Sequence, residues 1–449
     1  MASPSPLTHW TLCQIRDAIA QGEISPREAW HAHRDRIAEV NPAINAFTTL
    51  CDYEEPASKG PLYGVPLTIK DNFDVRGYPT LVGSRLRLGH RASEDAHAVA
   101  RLRAAGATFL GKTNVPELLT SYETDNFITG RTNHPLNPDY TPGGSSGGEA
   151  AAIAAYCSPG GLAGDGGGSV RVPAHFCGLA GFKPTHRRIS CTGQFPLFDP
   201  PGGVVLVPGI LARTVEDTAL LFSVMDGVDP RDSLSAGRPD PTPAPKTRRI
   251  GLVGTLGTIP VHPDIRRVVQ EAAARFQSLG YQVEPVILDG LERAPNVWAF
   301  FFSELANYEK KDFLAGREAD AHWSVLENLK TTAVPDARQV AQQFAERERM
   351  RHIALQKMNG FDALLMPPCS IPAFRHRERR WPVDGQSIGL FAGLALSTIW
   401  NLTGFPALTL PWGRTADGLP VGVQLVGRPF ADEDILSLGG EVASSSGIW

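Results

Sequence analysis

Two stretches govern the reading of this chain: TPGGSSGGEAAAIAA (141–155) and AGDGGGSVRVPAHFCG (163–178). Flexible Gly/Ser linkers stand apart from core-forming segments. Here the first cluster runs into an alanine-rich helix former, and the second runs into VRVPA. Glycines massed beside elements that must pack mark backbone that approaches something closely or turns with φ > 0. A phosphate loop does not fit, because no G-x-x-x-x-G-K-[ST] occurs and neither cluster has G-x-G-x-x-G spacing with a strand before it and an acidic partner after it. What Gly166, Gly167 and Gly168 can do, directly before Ser169, is present consecutive unhindered N–H groups to an oxygen held above the serine. That is the form of an oxyanion hole built from backbone.

A serine hydroxyl is a weak nucleophile and needs a base within hydrogen-bond reach. No G-x-S-x-G elbow is present, and the nearest histidine, His175, sits in a segment that reads as structural. A lysine can serve instead if burial lowers its pKa from the reference of about 10.4, since only the neutral amine accepts a proton. Lys70 ends the apolar run YGVPLTIK and is expected at the C-terminal end of a buried strand. Two roles stay open for it on these grounds: proton acceptor, or ion-pair partner of Asp71 or Asp74.

Around these clusters the chain alternates strands and helices. SEDAHAVARLRAA (93–105) predicts a helix capped by Ser93 and closed by Gly106, followed by the strand ATFLGK. RIGLVG (249–254) predicts a strand before a helix with Ile265, Val268, Val269, Ala272, Phe276 and Leu279 on one face, then Gly280 and the strand YQVEPVIL. Such alternation predicts an α/β chain whose sheet is covered on both faces, read as a single large domain over 1–449. The Pro-rich, charged stretch 230–249 predicts a surface connection. Residues 296–357 read as mainly helical; Trp298, Phe300, Phe301, Phe302, Tyr308, Trp323 and Phe344 there serve core packing or a substrate pocket.

With 43 basic and 47 acidic residues, the net charge of -4 offers no positive field for nucleic acid or an anionic membrane, so a small-molecule partner is expected. The start MASPSPLTHWTLCQIRD lacks the basic-then-apolar pattern of a signal peptide, and no apolar run reaches the ~18 residues of a membrane span. A cytoplasmic location is the expectation. Cys13, Cys51, Cys157, Cys177, Cys191 and Cys369 form no C-x-x-C pair, and the twelve histidines no H-E-x-x-H, so neither metal nor cofactor is expected. The basic run FRHRERR (374–380) is broken by Glu378 and flanked by Pro372 and Pro382, which predicts a solvated loop. A homodimer is left open.

GGSSGGEAAAIAA, DGGGSVRVPAHFCGLAGFKPT and the upstream GVPLTIKDNFDVRG stand in the order found in the amidase signature family, which the chain resembles from about Ser25 to about Leu436. The separations between Lys70, Ser145 and Ser169 agree with those of the fatty acid amide hydrolase-like branch. The resemblance implies the amidase signature fold with a central mixed sheet, and amide hydrolysis through a Ser–Ser–Lys triad. In that triad Lys70 is the base, Ser145, on a cis peptide, is the proton relay and Ser169 is the nucleophile. It further implies an oxyanion hole from Gly166, Gly167, Gly168 and Ser169, a buried Asp165–Arg171 pair, and Ser146 as a supporting hydrogen-bond residue. Leu119, Thr120 and Ser121 would lie beside an acyl channel. The glutamine-hydrolysing subunit of the glutamyl-tRNA amidotransferase is the alternative within the family, and an inactive binding module on the same fold is the alternative outside catalysis. The chain departs from the common pattern at Ala163-Gly164 and at Arg187.

Overall fold

The computed structural model describes residues 6–196, 202–238, 247–330 and 334–444. Among the described residues thirteen strands are formed: β1 (Phe47–Leu50), β2 (Pro66–Lys70), β3 (Thr108–Thr113), β4 (Gly160–Asp165), β5 (Ala180–Lys183), β6 (Val207–Ala212), β7 (Arg249–Leu252), β8 (Gln282–Pro285), β9 (Ala363–Met366), β10 (Arg380–Val383), β11 (Gln386–Gly389), β12 (Ala407–Arg414) and β13 (Pro420–Val426). Eleven of them make one sheet in the order β1-β3-β2-β4-β6-β5-β12-β13-β9-β7-β8, while β10 and β11 form a separate hairpin. The neighbours of β2 and of β7 run parallel and the remaining pairs antiparallel, so the sheet is mixed. Helices cover both faces, as the alternating pattern predicts, and the sheet runs unbroken through both halves of the chain.

Burial follows from composition. β2, β3, β4, β5 and β6 are buried at every position, which is why they read as continuous apolar or small-residue runs. The helix Pro263–Ser278 turns the predicted face inward, with Ile265, Val268, Val269, Ala272 and Phe276 all buried. The helix predicted to begin after Ser93 starts instead at His97. Asp95 is engaged elsewhere: its carboxylate accepts from the Arg76 N–H and from Arg103, and Ala96 N–H bonds the Asp74 carbonyl. Residues 93–95 are thereby held as a loop against a neighbouring segment, and the local cap signal loses to those contacts.

Residues 239–246 of the Pro-rich connection and 331–333 of the helical stretch lie outside the described residues. The described flanks of the connection, 231–238 and 247–249, are exposed or half-buried. Residues 296–357 are mainly helical, including a π-helical turn at Phe300–Leu305. No helix among the described residues is long and apolar enough to cross a membrane.

Candidate active site

Lys70 is the last residue of β2, a strand flanked by β3 and β4. Its Nζ lies 2.8 Å from Ser145 Oγ and donates to the Gly164 carbonyl at 3.1 Å. Asp71 is not its ion-pair partner. That carboxylate pairs at 3.1 Å with Lys112, which also donates to Pro79 and Thr80. Burial brings the Lys70 ammonium down to about 7, a fall that the carboxylates of Asp165 and Glu149 partly offset. Glu149 is itself pushed up to about 7 by burial, with the hydroxyls of Thr68 and Thr113 donating to it at 2.5 and 2.7 Å. Burial thus favours the neutral amine of Lys70, the form with a free lone pair.

Ser145 follows a cis peptide after Gly144. A Cβ at Gly144 would sit 2.8 Å from the Ser121 carbonyl, so only glycine allows the chain this close. Ser146 joins the two glycine clusters: its hydroxyl donates to the Gly164 carbonyl at 3.1 Å, and its N–H donates to the Ser169 carbonyl at 3.3 Å. Gly164 and Ala163 replace the common family residues without closing space. A Cβ at Gly164 would meet Phe73 at 3.7 Å and Lys70 Nζ at 3.8 Å, which are ordinary contacts. Arg187 lies with positive φ and pairs with Asp232 at 3.5 Å.

Asp165 organises the loop that carries Ser169. Its carboxylate accepts from Gly168 N–H at 2.7 Å, Val170 N–H at 3.0 Å, Arg171 Nε and Nη2 at 3.0 Å each, and Asn401 Nδ2 at 2.9 Å. Burial alone would raise this carboxyl, but the Arg171 guanidinium and these donors hold it well below the usual range. Arg171 is completed by Gln424 at 2.8 Å and Asn401 at 2.5 Å. Both charges are fully buried. Arg171→Ala is expected to cost about 3–5 kcal/mol, because it leaves the Asp165 charge unpaired in the interior. A denaturant midpoint unchanged from the parent would contradict this.

Of the four N–H groups that the resemblance implies as oxyanion donors, one is engaged within the loop. Gly168 N–H is taken by Asp165, whereas the N–H groups of Gly166, Gly167 and Ser169 have no hydrogen-bond partner among the described residues. Two residues that the sequence did not mark for this purpose hold peptide planes of this loop, one carrying the Gly167 N–H and one carrying the Gly168 N–H. Trp298 Nε1 donates to the Gly166 carbonyl at 2.6 Å, and the Tyr122 hydroxyl donates to the Gly167 carbonyl at 2.7 Å. Close packing from side chains around the loop leaves room for glycine alone. A Cβ on Gly166 would stand 2.6 Å from Leu206 and 2.9 Å from Phe302, and one on Gly167 would run into the Trp298 ring. Of the aromatic set, Trp298, Phe300 and Phe301 are buried in the core, and Trp298 and Phe302 also stack at 4.8 Å beside the loop that carries Ser169.

One cavity brings Lys70, Ser145, Asp165, Gly166 and Ser169 together, walled by Asn72, Gln194, Pro196, Leu119, Leu206, Val207 and Phe302. Of the three residues expected beside an acyl channel, only Leu119 lines it. The Thr120 hydroxyl instead donates to the Glu117 carbonyl at 2.9 Å, and Ser121 Oγ accepts from Glu123 N–H at 3.0 Å. Leu118 and Leu119 both adopt positive φ, a conformation that costs branched side chains energy and that turns this segment at the cavity wall. His175 is structural: its Nδ1 accepts from Gly422 N–H at 2.8 Å, and burial lowers its pKa to about 4. Among the described residues no cluster of His, Cys, Asp and Glu could hold a metal ion. FRHRERR is not merely solvated. Phe374 is buried, and the buried carboxylate of Glu123 accepts from Arg377 N–H at 2.9 Å and from Arg379 at 2.8 Å.

The amidase family model matches residues 28–436. The A-type subunit of glutamyl-tRNA(Gln) amidotransferase from Thermus thermophilus is 35% identical, covering 94% of each chain, and its counterpart from Symbiobacterium thermophilum is 33% identical, covering 93% of each. Among solved structures, a 6-aminohexanoate cyclic dimer hydrolase in complex with substrate superposes with a TM-score of 0.88 at 28% identity, covering 99% of this chain and 98% of that one. A fatty acid amide hydrolase gives 0.86 at 22% identity over 99% and 87%, a likeness of fold alone. A family match across nearly the whole length, on a fold shared with these enzymes, makes this chain a member of the amidase family, hydrolases that cleave carbon–nitrogen amide bonds.

Proposed function

We propose that the chain hydrolyses a carboxylic amide through an acyl-enzyme on Ser169, with Ser145 as proton relay and Lys70 as base. The observation that carries this reading is the 2.8 Å contact between Lys70 Nζ and Ser145 Oγ in the cavity that Ser169 also lines. Ser169 Oγ bonds to the amide carbon while its proton passes through Ser145 to Lys70. Charge developing on the carbonyl oxygen is met by the N–H groups of Gly166, Gly167 and Ser169. The tetrahedral intermediate collapses as the carbon–nitrogen bond breaks, and the proton returns through Ser145 to the leaving nitrogen. Water then attacks the ester by the same route and frees Ser169.

Two readings of the substrate remain. The wall of Leu119, Pro196, Leu206, Val207 and Phe302 supports a small or medium amide with an apolar acyl group. Among the lining residues the sole cation is Lys70, so none is left over to hold a carboxylate. The relatives, by contrast, favour the amidotransferase reading, in which glutamine is the amide and the chain works as one subunit with others. They support it better than they support the fatty acid amide hydrolase-like branch, whose solved structure is only 22% identical. The purified chain is expected to release ammonia from butyramide and hexanamide without a partner, and faster than from glutamine. Ammonia release from glutamine alone, appearing only when another subunit is supplied, would decide for the amidotransferase reading.

A further inference from the structure

Asn72 stands in the cavity wall two residues beyond Lys70 and is 2% exposed. Its backbone is fixed, since Asp71 is anchored by Lys112 and Phe195 N–H donates to the Asn72 carbonyl at 2.8 Å. Its side-chain amide donates to Gln194 Oε1 at 3.4 Å, and Gln194, 8% exposed, lines the same wall. In that contact the Asn72 nitrogen faces Gln194. Asn72 Oδ1 is then left buried with no partner among the described residues. A buried acceptor without a donor is destabilising, and this one belongs to a residue in the wall of the reaction cavity.

What the cavity takes in supplies the clue to the missing donor. Resting on the mechanism above, the leaving nitrogen must come close enough to Ser145 to receive the proton returning from Lys70. Asn72 extends from the same end of β2 as Lys70. An amide nitrogen carries an N–H at that point; an ester oxygen of the same shape does not. We propose that Asn72, steadied by Gln194, accepts a hydrogen bond from the N–H of the scissile amide's leaving nitrogen, and so selects amides over esters with the same acyl group. Asn72 is on this account a specificity-determining residue for the leaving group, and primary and secondary amides are the substrate class.

The matched probes are butyryl p-nitroanilide and p-nitrophenyl butyrate, which share an acyl group and differ in N–H against O. In Asn72→Leu, kcat/KM for the anilide is expected to fall at least about tenfold further than kcat/KM for the ester. Asn72→Ala, read alongside, guards against a leucine that disturbs packing. Labelling of Ser169 by a fluorophosphonate reports whether each variant keeps its nucleophile competent. If both probes lose rate equally while labelling persists, Asn72 reads some other part of the substrate and the proposal is overturned. It is overturned as well if neither rate changes, or if the parent enzyme labels but turns over only the ester. Absence of labelling in the parent would instead bring down the assignment of Ser169 itself.

Discussion

Ser169→Ala is expected to abolish turnover while leaving the fold close to intact. The substitution removes one oxygen from a side chain that is 6% exposed and takes no volume out of the core. The hydrogen bonds that shape the loop run through Asp165, Arg171, Tyr122 and Trp298, and none uses Ser169 Oγ. Loss of a nucleophile costs a hydrolase several orders of magnitude, about 10⁶-fold where it acts with its base as a unit. The check is amide turnover together with the thermal midpoint. Retention of more than about one per cent of the parent rate in a folded variant, well above the 10⁶-fold loss, would move the nucleophile elsewhere.

Lys70→Arg is expected to be as inactive as Lys70→Ala, although it keeps a long basic side chain. Guanidinium stays protonated at any usable pH, so it cannot accept a proton through Ser145. In the parent enzyme the sign follows directly: burial has lowered the lysine to about 7, only the neutral form works, and activity should rise with pH through that region and be lost in acid. A pH profile of kcat/KM on the parent, with fluorophosphonate labelling rates of both variants, makes the measurement. If Lys70→Arg labels at the parent rate and follows an unchanged profile, the lysine only supports the structure.

Lys70 and Ser169 stood out from the residues alone, through an apolar strand before the lysine and glycines before the serine, but two roles stayed open for the lysine, and Ser145 as a relay came only through the resemblance. Ser146, Asp165 and Arg171 entered only through the family resemblance; in the structure they hydrogen-bond within or against the loop that carries Ser169. The oxyanion set was only partly legible. Whether Gly168 N–H faces a ligand or Asp165 depends on how the loop curls, and Gly168 has a φ of 116° that no spacing rule reveals. Tyr122 and Trp298 reach the loop from far along the chain, so no local signal ties them to Gly167 and Gly166. Thr120 and Ser121 showed the opposite failure: being next to Leu119 in sequence did not place them in the cavity. For the fold, alternation made the covered α/β sheet legible, but the order of eleven strands rests on long-range pairing that periodicity does not encode.

The close fit of aromatic rings over Gly166 and Gly167 bears on how descendants of this chain could change their diet. With the Trp298 ring over one glycine and Leu206 over the other, any side chain gained at either position first collides with the surrounding wall. Mutational paths are therefore ordered in time. Trp298, Leu206 or Phe302 must shrink before the glycines are free to vary, and shrinking Leu206 or Phe302 reshapes the cavity wall on the way. Lineages that carry a bulkier residue at either glycine position should carry smaller residues at 206, 298 or 302, and should have acquired those first.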